Sequence, residues 1–131
     1  MGDLKNYKTD AKKENEGVWQ NLGDGVKVLV ARWNNKNFNR VMEGLMKPHQ
    51  YALRNNNLPD DVAAEILSKV MARTVLLGWE GLEEDGVPVV YSQKEALRVL
   101  TDYKDFKAHV QSVAQSMEVY KSQEDEETEK N

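Results

Sequence analysis

The spacing of apolar residues near the N-terminus predicts a β-hairpin. Residues 17–22 and 26–32 are rich in β-branched and aromatic side chains and flank the turn sequence Gly23-Asp24-Gly25. Short strand-like runs around a glycine-rich turn are typical of a hairpin. A phosphate-binding loop would need a longer glycine pattern with a helix behind it. Because a second strand-like run follows these glycines, we expect a hairpin here.

From Asn35 onward, apolar residues recur every three to four positions, which is the period of an α-helix. An asparagine just upstream can cap the first helix, and Pro48 kinks or interrupts it, after which residues 51–53 can prolong it. A second helix is predicted to begin at Pro59, which suits a first turn, and to end at Gly78 as a C-terminal cap. The middle of the chain therefore predicts two helices joined by a short break.

Two further helices are predicted after residue 91. Ser92 and Glu95 have the spacing of a capping box at a helix start. Apolar residues from Phe106 to Tyr120 then keep a regular helical spacing. The predicted fold is mainly α: an N-terminal β-hairpin followed by about four helices in a small bundle, with disordered termini.

The length of 131 residues suits one domain with flexible ends. Residues 1–15 are polar and aperiodic, which predicts a mobile N-terminal arm. Residues 16–121 form the predicted helical domain with its N-terminal hairpin. Residues 122–131 carry five acids against one lysine, which predicts an acidic disordered tail.

The charge distribution argues against nucleic acid as a partner. The formal net charge is −4, and the acidic tail alone accounts for it, so the body is neutral. A neutral body lacks the basic patch that would attract the phosphate backbone of a nucleic acid. The chain has no cysteine, no apolar run of membrane-spanning length and no signal-peptide core. We therefore expect an intracellular protein without nucleic acid or membrane partners.

The sequence offers little for metal binding or catalysis. His49 and His109 are far apart on separate predicted helices, so no zinc-ligand spacing is present. A calcium loop around Gly86 would place Gly81 and Ser92 at positions that require carboxylates. There is no cysteine nucleophile and no G-x-S-x-G motif, although sequence distance leaves a triad assembled in space open. We expect no enzyme activity, no metal and no cofactor.

The segment between the second and third helices, residues 79–91, is the best candidate for binding another chain. It carries four large apolar residues outside any helical stripe: Trp79, Leu82, Val89 and Tyr91. They can close the end of the helical core, or they can form a partly exposed patch that holds a partner. The tail has the same two interpretations, as a solubilising segment or as a contact for basic client segments. Its candidate contact residues are Glu124, Asp125, Glu126 and Glu127.

The same segment carries short motifs in a defined order: W-x-G-L at residues 79–82, the Asp85-Gly86 turn, and Y-S-x-x-x-A-L at residues 91–97. Together with the Gly-Val-Trp strand at residues 17–19, this layout resembles the tail assembly chaperones of long-tailed, siphovirus-type bacteriophages. The resemblance extends over residues 17–131.

The resemblance implies a non-enzymatic role. Such chaperones bind the helical tape measure protein, keep it soluble and recruit tail tube subunits around it. They act in the host bacterial cytoplasm and are absent from the finished virion, and many have a longer form made by ribosomal frameshifting. One alternative is a structural head–tail connector or tail-completion protein that stays in the virion. Another is a helical adaptor, whose DNA-binding version would need a more basic recognition helix than residues 94–98.

Overall fold

The computed structural model describes residues 2–122, and this part of the chain is mainly α with a small antiparallel sheet. The α-helices are α1 (Ala11–Glu16), α2 (Lys36–Met46), α3 (Gln50–Arg54), α4 (Asp60–Thr74), α5 (Gln93–Asp102) and α6 (Lys104–Ala114). The strands are β1 (Val18–Gly23), β2 (Val26–Val30), β3 (Leu76–Glu80), β4 (Glu83–Glu84) and β5 (Val87–Pro88). Short 3₁₀ turns occupy Leu4–Tyr7, Lys47–His49 and Met117–Tyr120.

The predicted N-terminal hairpin is present as β1 and β2. These strands pair antiparallel through a turn in which Asp24 and Gly25 both have positive φ, at 53° and 77°. Two such residues give a hairpin turn whose twist matches that of the strands. The aspartate-glycine sequence is therefore the local cause of the hairpin.

The structure adds a third strand, which corrects the predicted end of the second helix. Helix α4 ends at Thr74, and β3 pairs antiparallel with β2 to give the order β1-β2-β3. Gly78 was predicted as a helix cap, but it is buried in β3 opposite Leu29. A short apolar run such as residues 75–77 suits a helix or a strand, and pairing with β2 decides in favour of the strand.

Two predicted caps are confirmed at the starts of α2 and α5. The side chain of Asn35 accepts hydrogen bonds from the backbone of Asn37 and Phe38, and its amide also donates to the Thr74 carbonyl at 3.0 Å. Ser92 Oγ accepts from the Glu95 backbone at 3.0 Å. Asn35 therefore connects the start of α2 to the end of α4 as well as capping its own helix.

The final helix is shorter than predicted. Helix α6 ends at Ala114, and the apolar pattern continues through a 3₁₀ turn that ends at Tyr120. The Tyr120 side chain is fully buried, and its hydroxyl donates to the Val30 carbonyl at 2.9 Å. The core lies between β2, β3 and helices α2, α4, α5 and α6; it includes Val28, Val30, Phe38, Ile66, Val70, Met71, Leu76, Ala96, Val99, Leu100, Val110 and Ala114.

Residues 1–15 were predicted to form a mobile arm, but the structure places a 3₁₀ turn at Leu4–Tyr7 and helix α1 at Ala11–Glu16, and the region around α1 contacts the body. The Asp10 backbone N–H donates to the Tyr120 carbonyl, and the Arg32 N–H donates to the Glu14 carbonyl, each at 2.9 Å. The Arg32 guanidinium also lies 3.0 Å from the Glu14 carboxylate. The predicted tail contacts, Glu124 to Glu127, lie outside the described residues.

Candidate partner-binding cleft

The segment after β3 folds as a second, very short hairpin. Strands β4 and β5 pair antiparallel around Asp85 and Gly86, which have φ values of 52° and 80°. The Val89 N–H donates to the Leu82 carbonyl at 2.8 Å and extends the pairing by one bond. The predicted Asp-Gly turn is confirmed, and it folds residues 82 and 89 to the same end of the hairpin.

Trp79 and Tyr91 point into the protein and hold this hairpin against the core. Trp79 is 6% exposed, and its indole N–H donates to the Val89 carbonyl at 2.7 Å. The Tyr91 hydroxyl donates to the Leu76 carbonyl at 2.8 Å. The two rings meet edge to face, with centroids 4.9 Å apart, an arrangement that aromatic pairs favour. Burial raises the pKa of the Tyr91 hydroxyl.

Gly81 explains the glycine of the W-x-G-L motif. Its φ is +77°, and a Cβ placed there would lie 2.2 Å from the Gly25 carbonyl oxygen. The turn of the first hairpin therefore packs directly on the backbone that enters the second hairpin. Only glycine suits both the positive φ and this close approach.

Leu82 and Val89 line a cleft of about 270 Å³ between the second hairpin and helices α5 and α6. Val99 and Phe106 complete its apolar surface, and Tyr103 lies at its edge. We call this site the connector cleft. Of the four predicted contact residues, Leu82 and Val89 line it, whereas Trp79 and Tyr91 lie behind it.

Exposed apolar side chains continue beyond the connector cleft along the outer edge of the hairpin. Val87 is 64% exposed and Val90 is 81% exposed. Both border a second depression between β5 and α5, of about 350 Å³, which shares Glu84, Val89 and Arg98 with the connector cleft. The two depressions are therefore continuous: the connector cleft is mainly apolar, and the second depression adds exposed valines beside charged side chains.

The rim of this surface is acidic. Glu83, Glu84 and Asp85 lie at the connector cleft, and Glu95 borders the second depression. Among residues 2–122, Arg98 is the one basic residue that lines either depression. The surface therefore carries four carboxylates against one guanidinium.

Arg98 is itself held by carboxylates. Its guanidinium lies 3.0 Å from Glu84, 2.7 Å from Glu95 and 3.9 Å from Asp102. The Tyr103 hydroxyl also donates to Glu84, and the hydrogen bonds from Tyr103 and Arg98 lower the pKa of that carboxyl group. Glu84 is therefore ionised at neutral pH, and the surface keeps a negative charge after Arg98 is counted.

The sequence did not single out Arg98, Tyr103 or Phe106 as site residues. The spacing of Arg98 from Glu95 and Asp102, three and four residues along one helix, does signal ion pairs within α5. The contact of Arg98 with Glu84 depends on the docking of the second hairpin on α5, which local sequence patterns do not encode.

Within residues 2–122, no group of three or more histidine, cysteine, aspartate or glutamate side chains has an arrangement suited to a metal ion. In the same part of the chain, no helix combines the length and the apolar character needed to cross a bilayer.

The fold and the cleft define a small, mainly α protein whose concave apolar surface has an acidic rim. A family model described as YdaY prophage protein matches residues 33–131. The chain belongs to this family, which makes it a phage-derived protein. The matched range includes β3, the second hairpin and all helices from α2 onward, whereas β1 and β2 precede it. No curated protein and no solved structure matches the chain.

Proposed function

We propose that this protein is a non-enzymatic tail assembly chaperone that binds and solubilises the tape measure protein and helps to recruit tail tube subunits. The observation that carries the proposal is the connector cleft, an open apolar surface with a carboxylate rim. Phage origin and the resemblance of residues 79–97 to tail assembly chaperones support the same role.

The apolar lining suits the side chains of an amphipathic helix. A helix in a groove inserts anchors from one face, at spacings of three to four residues. Leu82, Val89 and Phe106 are partly exposed in the connector cleft, and Val87 and Val90 extend the apolar surface beyond it. Each apolar anchor that a client fully buries there contributes roughly 1.5–3 kcal/mol before the ordering cost of binding. Because association itself costs several kcal/mol, we expect a complex to need several such anchors together with the charge complementarity of the rim.

The acidic rim selects among amphipathic helices. Four carboxylates surround the two depressions, and the guanidinium of Arg98 is already paired with Glu84 and Glu95. A client with lysine or arginine beside its apolar anchors would complement this field, and an acidic client would be repelled. The client segment is therefore proposed to be a basic amphipathic helix of the tape measure protein.

Such an occupant is physically suited to chaperoning. A long helical protein exposes its apolar stripe before assembly, and exposed stripes lead to aggregation. A small acidic protein on that stripe removes apolar area from water and adds negative charge to the complex. In this account Trp79 and Tyr91 act indirectly, because they hold the hairpin that carries Leu82 and Val89.

Co-expression with the tape measure protein of the same genome tests the proposal. We expect the tape measure protein to be insoluble alone, and soluble and co-purified with the wild-type chain. With the double variant Val87→Glu and Val90→Glu, most of the tape measure protein should no longer co-purify, because the variant places charge on the apolar surface at two exposed positions. The matched control is Tyr51→Glu with Leu53→Glu, which changes two exposed apolar residues of α3 away from the cleft.

A second pair of variants tests the charge of the rim. Glu83→Gln with Asp85→Asn should weaken the complex and reduce its sensitivity to salt, since fewer charges then attract the client. Glu43→Gln with Glu65→Gln removes the same charge from exposed positions of α2 and α4. If the tape measure protein behaves identically with and without this chain, the chaperone proposal fails. Detection of the chain in purified virions would then favour the structural head–tail role.

A further inference from the structure

Strand β1 is a free edge of the three-stranded sheet. It pairs with β2 alone, and within residues 2–122 no other segment forms a backbone hydrogen bond with it. Gly17 and Gly23, with φ values of 89° and 91°, interrupt the extended backbone at either end. The free edge therefore consists of the five residues Val18–Leu22.

This edge carries neither charge nor proline, and its one irregularity is a register shift between Asn21 and Gly23 at the turn end of the strand. Proteins protect edge strands with charged residues, proline or a covering segment. The sequence from Val18 to Leu22 has no charge and no proline, and Trp19 in its middle is 47% exposed. The exposed amide of Gln20 donates to the Trp19 carbonyl at 3.1 Å, so this oxygen is accessible from outside the β1–β2 ladder.

The edge is also self-complementary. Backbone groups alternate in direction along a strand, so an accessible Trp19 carbonyl implies that the backbone groups of Asn21 face outward as well. An antiparallel copy centred on Gln20 places Trp19 of one chain opposite Asn21 of the other. This register contains two such Trp19–Asn21 pairs, one on each side of the two-fold axis. Each pair can exchange two N–H···O=C bonds, which gives four in total.

We propose that β1 is a homodimer interface in which it pairs antiparallel with β1 of a second copy about Gln20. The two sheets then become one continuous six-stranded sheet. Val18 meets Leu22 on the face toward the core, and Trp19 meets Asn21 on the outer face, because strand partners lie on the same side of a sheet. The interface precedes the family-matched residues 33–131 and is independent of the connector cleft.

A single cysteine tests this geometry, since the chain has none of its own. In the proposed dimer the two Gln20 residues face each other across the two-fold axis as a pair without backbone hydrogen bonds, at a Cα separation of about 4.5 Å. That separation permits a disulfide. We expect mild oxidation of Gln20→Cys to yield mostly a linked dimer, and Asn57→Cys, at an exposed loop position, to yield at least five-fold less.

The mass of the unmodified protein provides a second measurement. Light scattering should give twice the chain mass of 15.0 kDa at high concentration and decline toward the chain mass on dilution. Trp19→Lys with Asn21→Lys places like charges opposite each other and should keep the protein monomeric, whereas Tyr51→Lys with Leu53→Lys should not. Thermal melts of both variants are the control that each still folds. A constant mass of 15.0 kDa, with no excess linking of Gln20→Cys over Asn57→Cys, would overturn the proposal.

Discussion

Replacing Tyr91 with phenylalanine tests whether the aromatic pair behind the connector cleft holds the second hairpin in place. The substitution keeps the ring and its edge-to-face contact with Trp79, and removes only the hydroxyl that donates to the Leu76 carbonyl at 2.8 Å. Losing a hydrogen bond costs about 0.5–1.5 kcal/mol net, and more when the partner stays buried without a donor. Since Leu76 is fully buried, we expect a loss of about 1–2 kcal/mol in the free energy of unfolding.

The assay is urea unfolding followed by far-ultraviolet circular dichroism, with thermal melting as a second readout. For a chain of this size, about 1 kcal/mol corresponds to roughly 3–5 °C in Tm. Tyr51→Phe is the matched control: its side chain is 76% exposed, so its effect should stay within about 0.5 kcal/mol. Equal stabilities for the two variants would refute the bracing role of Tyr91.

The same variant has a predicted alkaline signature. Burial raises the pKa of Tyr91 above its ordinary value of 10.0, so the unfolded chain loses this proton at a lower pH than the folded one. The free energy of unfolding must therefore fall as pH rises above about 10. Tyr91→Phe should show a shallower fall than the wild type, in unfolding curves recorded across that range, and an unchanged slope would contradict the assignment.

Three further perturbations test other parts of the structure. Gly81→Ala should lower the free energy of unfolding by more than about 2 kcal/mol, and Gly86→Ala by only about 1 kcal/mol. Both glycines have positive φ, but only at Gly81 would the added Cβ meet the Gly25 carbonyl oxygen. Equal losses of stability in urea unfolding would contradict that packing. Glu84→Gln should flatten the fall in stability as pH drops through and below 4.5, the ordinary value from which its pKa is lowered, and an unchanged acid profile would refute it. Tyr120→Phe should cost about 1–3 kcal/mol by leaving the buried Val30 carbonyl without this donor, and a neutral result in thermal melts would exclude the role.

Local signals in the sequence account for the parts of the fold that were predicted. Asp24-Gly25 specifies a hairpin turn through positive φ, and Asn35 and Ser92 cap helices through bonds to residues two or three positions away. Each of these causes operates within a few residues. Such features can be read from the sequence without knowledge of the tertiary structure.

Long-range contacts account for what the sequence did not predict. Leu76–Glu80 forms β3 because β2 offers a partner strand, and Gly78 lies within reach of the Trp19 ring rather than at a helix end. The inward position of Trp79 depends on the Val89 carbonyl, ten residues away. The contact of Arg98 with Glu84 likewise depends on the docking of the second hairpin on α5. Periodicity and spacing carry no information about such pairs.

Hydrogen–deuterium exchange on the complex with the tape measure protein can show whether the connector cleft is where the client binds. If the client binds the connector cleft, exchange slows in the second hairpin and in the facing parts of α5 and α6, residues 82–90 and 98–106. Exchange in α3, residues 50–54, should be unchanged. Protection confined to other regions, or none in a complex that co-purifies, would contradict the connector cleft as the client-binding site.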